Sequence, residues 1–470
     1  INFLTKELSW LTSDIVTSTG TGTSTGTGTS TGTGTSTGTG TSTGTGTSTG
    51  TQNLPSNKIS IGKRLLKDGT LDEEQYLEIR ELCQHVAILG ASGSGKTVLL
   101  KRIVEEASLK GVPAVIIDIS GDLSMMGQRF KERPQQWTDE DEKLSKLYFE
   151  KTEVIIWTPF NEEGNLFTLP YIPNLSNYDD NSRELELIIS SATSNLDQLL
   201  KLKLKTNTPK KNLVKIALQQ MKKRNSEYTI KALHDTLNML DDLVNGLNDK
   251  QIKNAAELTA DINLYLLSTP SLSKTSFSNI HDLFTSKSGK TRISILNIMQ
   301  ANEDQQRQIV DTIFTLLFDY IKMNHPNTLN GLIVIDEAAR FAPSIKSTTS
   351  KDIIIKFAAM ARKYQYSLIL ATQGPSTIDN NITTNLKAKL CGRQSAIADM
   401  NTASTQLHVP KEKFNTLNTG EFYFYNKPAN ESSSAVKIKA NYCLSYHTTP
   451  DFAKIIEFAK ESKKIIQSEK

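Results

Sequence analysis

The stretch HVAILGASGSGKTVLL, residues 85–100, stops an apolar run with small residues and then commits at once to a lysine and a threonine. Val86–Leu89 has the length of a short buried strand. Val98, Leu99 and Leu100, followed by Lys101, Arg102, Ile103 and Val104, have the apolar spacing of a helix. Between them Gly90-Ala91-Ser92-Gly93-Ser94-Gly95-Lys96-Thr97 fills every fixed position of GxxxxGK[ST]. Glycines in such a turn let the backbone wrap an anion and aim its N–H groups inward at a helix N-terminus. Lys96 brings a point charge for β- and γ-phosphates, and the Thr97 hydroxyl can ligate Mg²⁺. A plain glycine-rich strand-to-helix turn is the alternative; the match at all fixed positions weighs against it. The expected ligands are ATP and Mg²⁺, with residues 90–98, Val98 included, as the nucleotide contacts.

The chain of 470 residues has room for two or three compact units. Lys and Arg number 54 against 50 Asp and Glu, a net charge of +4, so any nucleic-acid contact has to come from local patches. Cys83, Cys391 and Cys443 form no CxxC pair, and the six histidines show no HxxxH or HExxH spacing, which argues against structural zinc. Isolated cysteines suit a reducing cytoplasm, the expected location. No apolar run approaches the roughly 18 residues of a membrane span, and no secretory leader is visible.

Residues 1–16 form a short lead, and 17–51 repeat TSTGTG with a period of six. No side chain there is larger than Thr, so the repeat reads as a disordered linker. Strand patterns at 86–89, 113–118, 154–157, 292–298, 332–335, 367–371 and 421–426 alternate with helical ones. Residues from about 180 to 270 are helical by their i, i+3, i+4 spacing, and 451–470 read as a C-terminal helix. The expected fold is α/β, a mostly parallel sheet covered by helices on both faces, with an inserted helical subdomain.

GLIVIDEAARFAP, residues 331–343, ends a buried strand in two carboxylates. Asp336 is expected to help hold Mg²⁺, and Glu337 to orient and polarise the attacking water. The alternative is a strand end followed by a helix whose acidic opening suits its dipole. At the end of the 367–371 strand come Thr372 and Gln373, an amide placed to sense the γ-phosphate. Arg362 in ARKY and Arg393 in CGRQ are both candidates for completing a neighbouring subunit's site, or are ordinary surface arginines.

Taken together, HVAILGASGSGKT, IIDISGD, LIVIDEAARFAP and LILATQGPS followed by CGRQ, in this order, resemble the central ATPase domain of HerA-type translocases, within the HerA/FtsK group of RecA-like motors. The resemblance covers about 58–450. It implies that Lys96 is the phosphate lysine, Glu337 the catalytic glutamate and Arg362 the arginine finger. The family's Asp-Pro-x-Gly-Glu-Tyr segment reads here Asp118-Ile119-Ser120-Gly121-Asp122-Leu123, keeping Asp118 and shortening the glutamate to Asp122. The resemblance also implies a small N-terminal β-barrel, which the residues ahead of Lys58 do not display.

It further implies a hexameric ring that pumps duplex DNA beside a NurA-type nuclease or another effector, in DNA end processing or anti-phage defence. The densest basic stretch, 201–231, holds Lys201, Lys203, Lys205, Lys210, Lys211, Lys215, Lys222, Lys223 and Arg224. Phosphate contact is one reading of it; a lysine-rich solvated helix face is the preferred one. No base-reading motif is present, so sequence-specific binding is not expected. A conjugation or secretion motor and an ATP-gated scaffold for a partner enzyme remain as rival functions.

Overall fold

Val86–Leu89, Ala114–Asp118, Gly331–Ile335 and Tyr366–Thr372 are buried at every residue. Aliphatic runs of this kind are stable only as interior strands covered on both sides. In the computed structural model the described residues are 57–469, apart from 160, 181, 269–276, 325–326 and 427–434. The expected lead at 1–16 and linker at 17–51 lie outside them.

Among the described residues eleven strands form one sheet: β1 (Lys58–Leu65), β2 (Leu71–Glu78), β3 (Val86–Leu89), β4 (Ala114–Asp118), β5 (Thr152–Trp157), β6 (Thr291–Asn297), β7 (Gly331–Ile335), β8 (Tyr366–Thr372), β9 (Ala388–Cys391), β10 (Glu421–Asn426) and β11 (Val436–Ala440). Their order is β2-β1-β11-β10-β9-β3-β8-β7-β4-β6-β5. From β9 to β5 every neighbour is parallel, whereas β9-β10, β10-β11, β11-β1 and β1-β2 are antiparallel. The mostly parallel sheet is therefore present, extended by an antiparallel flank. Strands β1, β2, β9 and β11 were not legible in the sequence. β1, β2 and β11 are rich in Lys and Glu, as suits strands near an open sheet edge.

Strand alternation sends Ala87, Val115, Ile333 and Leu368 to one face, where Phe314, Phe318 and Phe357 cover them. Val86, Ile116, Val334 and Ile369 go to the other, against Leu99, Leu100 and Ile103. The first cover comes from helices Glu303–Met323 and Thr349–Met360, the former opened by an Asn302–Gln305 capping box. The second comes from helix Lys96–Leu109, which continues directly from the phosphate loop.

Helices Arg183–Leu200, Thr208–Lys223, Ile230–Asn238 and Asp249–Ser268 make up the helical insertion. They close around their own core of Leu196, Leu218, Leu233, Leu258 and Ile262, to which no sheet strand contributes. Polar contacts tie this insertion to the helices over the sheet. Ser191 Oγ and Asn195 Nδ2 donate to Asp311 (2.8 and 2.7 Å), Tyr178 Oη donates to Asp319 (2.9 Å), and Lys356 pairs with Glu184 (2.6 Å). Burial pushes the Asp311 carboxyl up to about 6.

Helix Lys96–Leu109 buries its charges as well as its apolar face. Lys101, Arg102, Glu105 and Glu106 are all shielded, because residues 441–446 run along the helix. Lys101 donates to the Tyr446 carbonyl (2.6 Å), and Arg102 to the Tyr442 carbonyl (2.9 Å) while pairing with Glu106 and Asp141. Glu105 accepts from the Leu444 and Ser445 N–H groups (2.6 and 2.9 Å) and from the Ser445 hydroxyl. Removing that acceptor strands three buried donors, each costing about 1 kcal/mol or more. Glu105→Ala should therefore lower unfolding stability by about 3 kcal/mol, and Glu105→Gln, which keeps one acceptor, by roughly half as much. An unchanged urea midpoint in Glu105→Ala would show that the 441–446 segment is held by something else.

Candidate nucleotide site

The phosphate loop crosses from β3 to helix Lys96–Leu109 through two left-handed glycines, Gly93 (φ 73°) and Gly95 (φ 96°). A Cβ on Gly90 would lie 2.6 Å from the Ser94 hydroxyl, so the first glycine is required by close approach. The outer side of the loop is clamped. Thr419 Oγ1 donates to the Gly93 carbonyl (2.8 Å), the Gly420 N–H to the Ser94 carbonyl (2.9 Å), and the Ala91 N–H to the Arg393 carbonyl (2.8 Å). The N–H groups of Lys96, Thr97 and Val98 open the helix and so have no intrahelical acceptor.

The residues present fit an anion. Ser94 Oγ is buried without a partner, and Lys96 Nζ folds back onto the Ala91 carbonyl (3.2 Å). Burial pulls the Lys96 ammonium down from its ordinary range, while Glu337 and Asp336 hold it up. An incoming phosphate would replace a weak carbonyl contact with a charge-assisted one.

They also fit a divalent cation. The Asp336 N–H donates to the Ile117 carbonyl (3.3 Å), so the ends of β4 and β7 align and Asp118 neighbours Asp336. Burial, then the charge of Asp118, then that of Glu337 push the Asp336 carboxyl up to about 7. Asp118 is raised as well, chiefly by burial. Its oxygens accept from the Gly121 N–H (2.8 Å), the Ser124 N–H (2.9 Å) and the Ser124 hydroxyl (2.7 Å). Asp118 thus holds the 118–124 turn and adds negative charge, leaving Asp336 and Thr97 as the groups that would ligate Mg²⁺.

Glu337 follows with φ 51° and ψ 47°, left-handed backbone on a non-glycine residue, which costs about 1 kcal/mol or more. The turn lifts its side chain off the strand axis, and Glu337 Oε1 accepts from Gln373 Nε2 (2.9 Å) at the end of the adjacent β8. The carboxylate suited to orienting water and the amide suited to sensing phosphate are therefore in direct contact.

Three groups that sequence reasoning missed support this pair. Arg340 Nη1 donates to Gln306 Oε1 (3.0 Å), and Gln306 Nε2 donates to the Ile298 carbonyl (3.0 Å). The Ile298 N–H in turn donates to the Asp118 carbonyl (3.0 Å), so the buried Gln306 amide staples the two carboxylate turns together. Gln394 is buried beside the loop. Its amide satisfies both neighbours with its oxygen toward the Gly90 N–H (3.2 Å) and its nitrogen toward the Gln373 carbonyl (3.3 Å). Nothing in the run EDQQRQ distinguishes Gln306 from its neighbours, because its partners lie far away along the chain.

The two arginines separate. Arg393 follows β9, next to its own chain's phosphate loop. Arg362 precedes β8, and because β3 and β8 are parallel it stands at the opposite edge of the sheet, exposed.

From this geometry Lys96→Ala should weaken ATP binding on the order of a hundredfold, through loss of a charge-assisted contact. Glu337→Gln should keep ATP affinity while turnover falls at least about a hundredfold. Arg340→Ala and Gln306→Ala should lower kcat with KM nearly unchanged. Equilibrium nucleotide binding and steady-state kinetics on each variant check these outcomes, and normal turnover in Glu337→Gln would remove its assignment.

Known proteins were compared against this chain. The family model described as "Helicase HerA, central domain" matches residues 60–317, more than half of the chain, and a zonular occludens toxin (Zot) model matches 290–417. The DNA double-strand break repair helicase HerA of Saccharolobus solfataricus is 21% identical over 330 residues. That alignment covers 67% of this chain, and the chain spans 56% of the length of that relative. An uncharacterised Mycoplasma pneumoniae protein is 28% identical over 107 residues, covering 22% of this chain and 87% of its own. VirB4 of Thermoanaerobacter pseudethanolicus superposes with a TM-score of 0.53 at 15% identity, over 81% of this chain and 96% of its own, a likeness of fold. With the phosphate loop, the paired carboxylates and the mostly parallel sheet in place, the chain belongs to the HerA central-domain family of P-loop proteins.

Proposed function

We propose that the chain is an ATP-driven motor that translocates or unwinds double-stranded DNA, working as a ring with a nuclease or another effector as partner. The observation that carries this reading is the Glu337–Gln373 contact beside the phosphate loop, in a chain whose exposed Arg362 stands at the far edge of the same sheet. A purely nucleotide-gated scaffold does not need a water-orienting carboxylate held in strained backbone. The DNA substrate is supported by the relative named as a double-strand break repair helicase. Among the described residues no helix is long and apolar enough to cross a membrane.

In the proposed cycle the loop N–H groups and Lys96 hold the ATP phosphates. Mg²⁺, held by Thr97 and Asp336, would supply positive charge to the β- and γ-phosphate oxygens. Glu337 orients the attacking water and takes up its proton as the γ-phosphoryl group leaves. Gln373, bonded to Glu337, exchanges partners when the γ-phosphate departs, and the change passes to β8. Arg393 serves the site of its own chain, whereas Arg362 serves that of a neighbouring copy, where it offsets transition-state charge.

Two outcomes test the reading. Mixing Arg362→Ala with Glu337→Gln should restore some ATPase activity, because a mixed interface can join an intact glutamate to an intact arginine; no recovery above the inactive parents removes the shared site. Duplexes of unrelated sequence should stimulate ATP hydrolysis alike, less so as salt rises. Stimulation by a partner protein but not by DNA would favour the scaffold.

A further inference from the structure

The link between helices Arg183–Leu200 and Thr208–Lys223 of the insertion reads LKLKLKTN over 200–207. Leu200, Leu202 and Leu204 are buried in the insertion's core, while Lys201, Lys203 and Lys205 are exposed. The backbone achieves this alternation by turning left-handed at Lys201 (φ 52°) and Lys203 (φ 57°). The buried Asp197 carboxylate fastens the loop, accepting from the Leu204 N–H (2.7 Å) and the Lys205 N–H (3.1 Å).

Part of the basic stretch is neutralised locally, whereas Lys211, Lys223 and Arg224, like the loop lysines, have no carboxylate partner among the described residues. Lys210 pairs with Glu257 (3.0 Å) and approaches Asp261, Lys222 pairs with Asp180 (2.6 Å), and Lys215 donates to Ser190 (3.0 Å). Among the described residues no carboxylate pairs with Lys201, Lys203 or Lys205. Asp197, the nearest acid in the chain, is occupied by backbone N–H groups. Three like charges are thus held at alternate positions on a fastened loop, two of them on backbone that costs about 1 kcal/mol or more apiece in a non-glycine residue. The left-handed turns end helix Arg183–Leu200 at its C-cap Lys201 and bury Leu202 and Leu204. What they leave at the surface is a fixed array of three un-neutralised positive charges, which complements a polyanion.

We propose that Lys201, Lys203 and Lys205 grip the phosphate backbone of duplex DNA, so that the helical insertion is a DNA-contacting part of the motor. The inference rests on the DNA reading above and adds the place of contact. The groove beside the loop is lined by Thr206, Asn207, Asp261, Tyr265 and Ser268 together with Leu264. That largely polar lining suits hydrated phosphates better than lipid tails, although Leu264 and Leu267 are exposed nearby. Contacts of this kind position a duplex without reading its sequence.

The test uses the full chain carrying K201N/K203N/K205N, because asparagine removes the charge yet tolerates left-handed backbone. An unchanged melting temperature establishes that the variant is folded, and the three single variants serve if the triple is not. Duplex affinity should fall, and the slope of log affinity against log salt should become shallower by about 2 to 3, roughly one for each lost phosphate contact. The K201R/K203R/K205R variant should bind as the parent does. A parent that binds duplex while the folded asparagine variant keeps its affinity and slope overturns the loop assignment and leaves the DNA motor standing. A parent that binds no duplex overturns both. Lysine-dependent binding to phosphatidylserine vesicles in place of duplex would make the loop a membrane contact instead.

Discussion

Two carboxyl groups, Asp118 and Asp336, are buried as neighbours at the ends of parallel strands, and the burial of that negative charge governs the working edge of the sheet. Asp118 is braced by the Gly121 and Ser124 donors, whereas burial, and after it the charges of Asp118 and Glu337, lift the Asp336 carboxyl to about 7. Positive charge relieves it, from Lys96 above or from a bound divalent cation. The clamped loop, the folded-back lysine and the strained Glu337 are all arranged around that buried negative charge. The site is preorganised for charge, which is where electrostatic catalysis draws its strength.

The same edge is connected to the body of the molecule by hydrogen bonds of definite geometry. From Glu337 the turn runs to Arg340, from Arg340 to Gln306, and from Gln306 along helix Glu303–Met323 to Asp311 and Asp319. Those two carboxylates face Ser191, Asn195 and Tyr178 of the insertion and its approach. The insertion has its own apolar core and meets helix Glu303–Met323 through these polar contacts and through a cavity lined by Ile188, Ala192 and Leu316. A lysine loop at the far end of helix Arg183–Leu200 lies on the insertion.

Local requirements are what the sequence by itself determined. Left-handed backbone and close approach demand glycine at Gly90, Gly93 and Gly95, and a buried strand that ends in charge demands a special reason for Asp336 and Glu337; both needs are written within a few residues. Buried parallel strands were legible for the same reason, as unbroken aliphatic runs such as 332–335. Tertiary structure alone decided what depends on distant partners. The polar strands β1, β2 and β11 exist because they pair with each other and with β10, and their local pattern does not announce it. Gln306 and Gln394 became part of the site through partners remote in sequence, and Arg362 and Arg393, alike as residues, were separated by strand direction. Which lysines of 201–231 are paired and which stand free was settled by where Glu257, Asp180 and Asp197 fold, because a charge acquires its meaning from its neighbours in space.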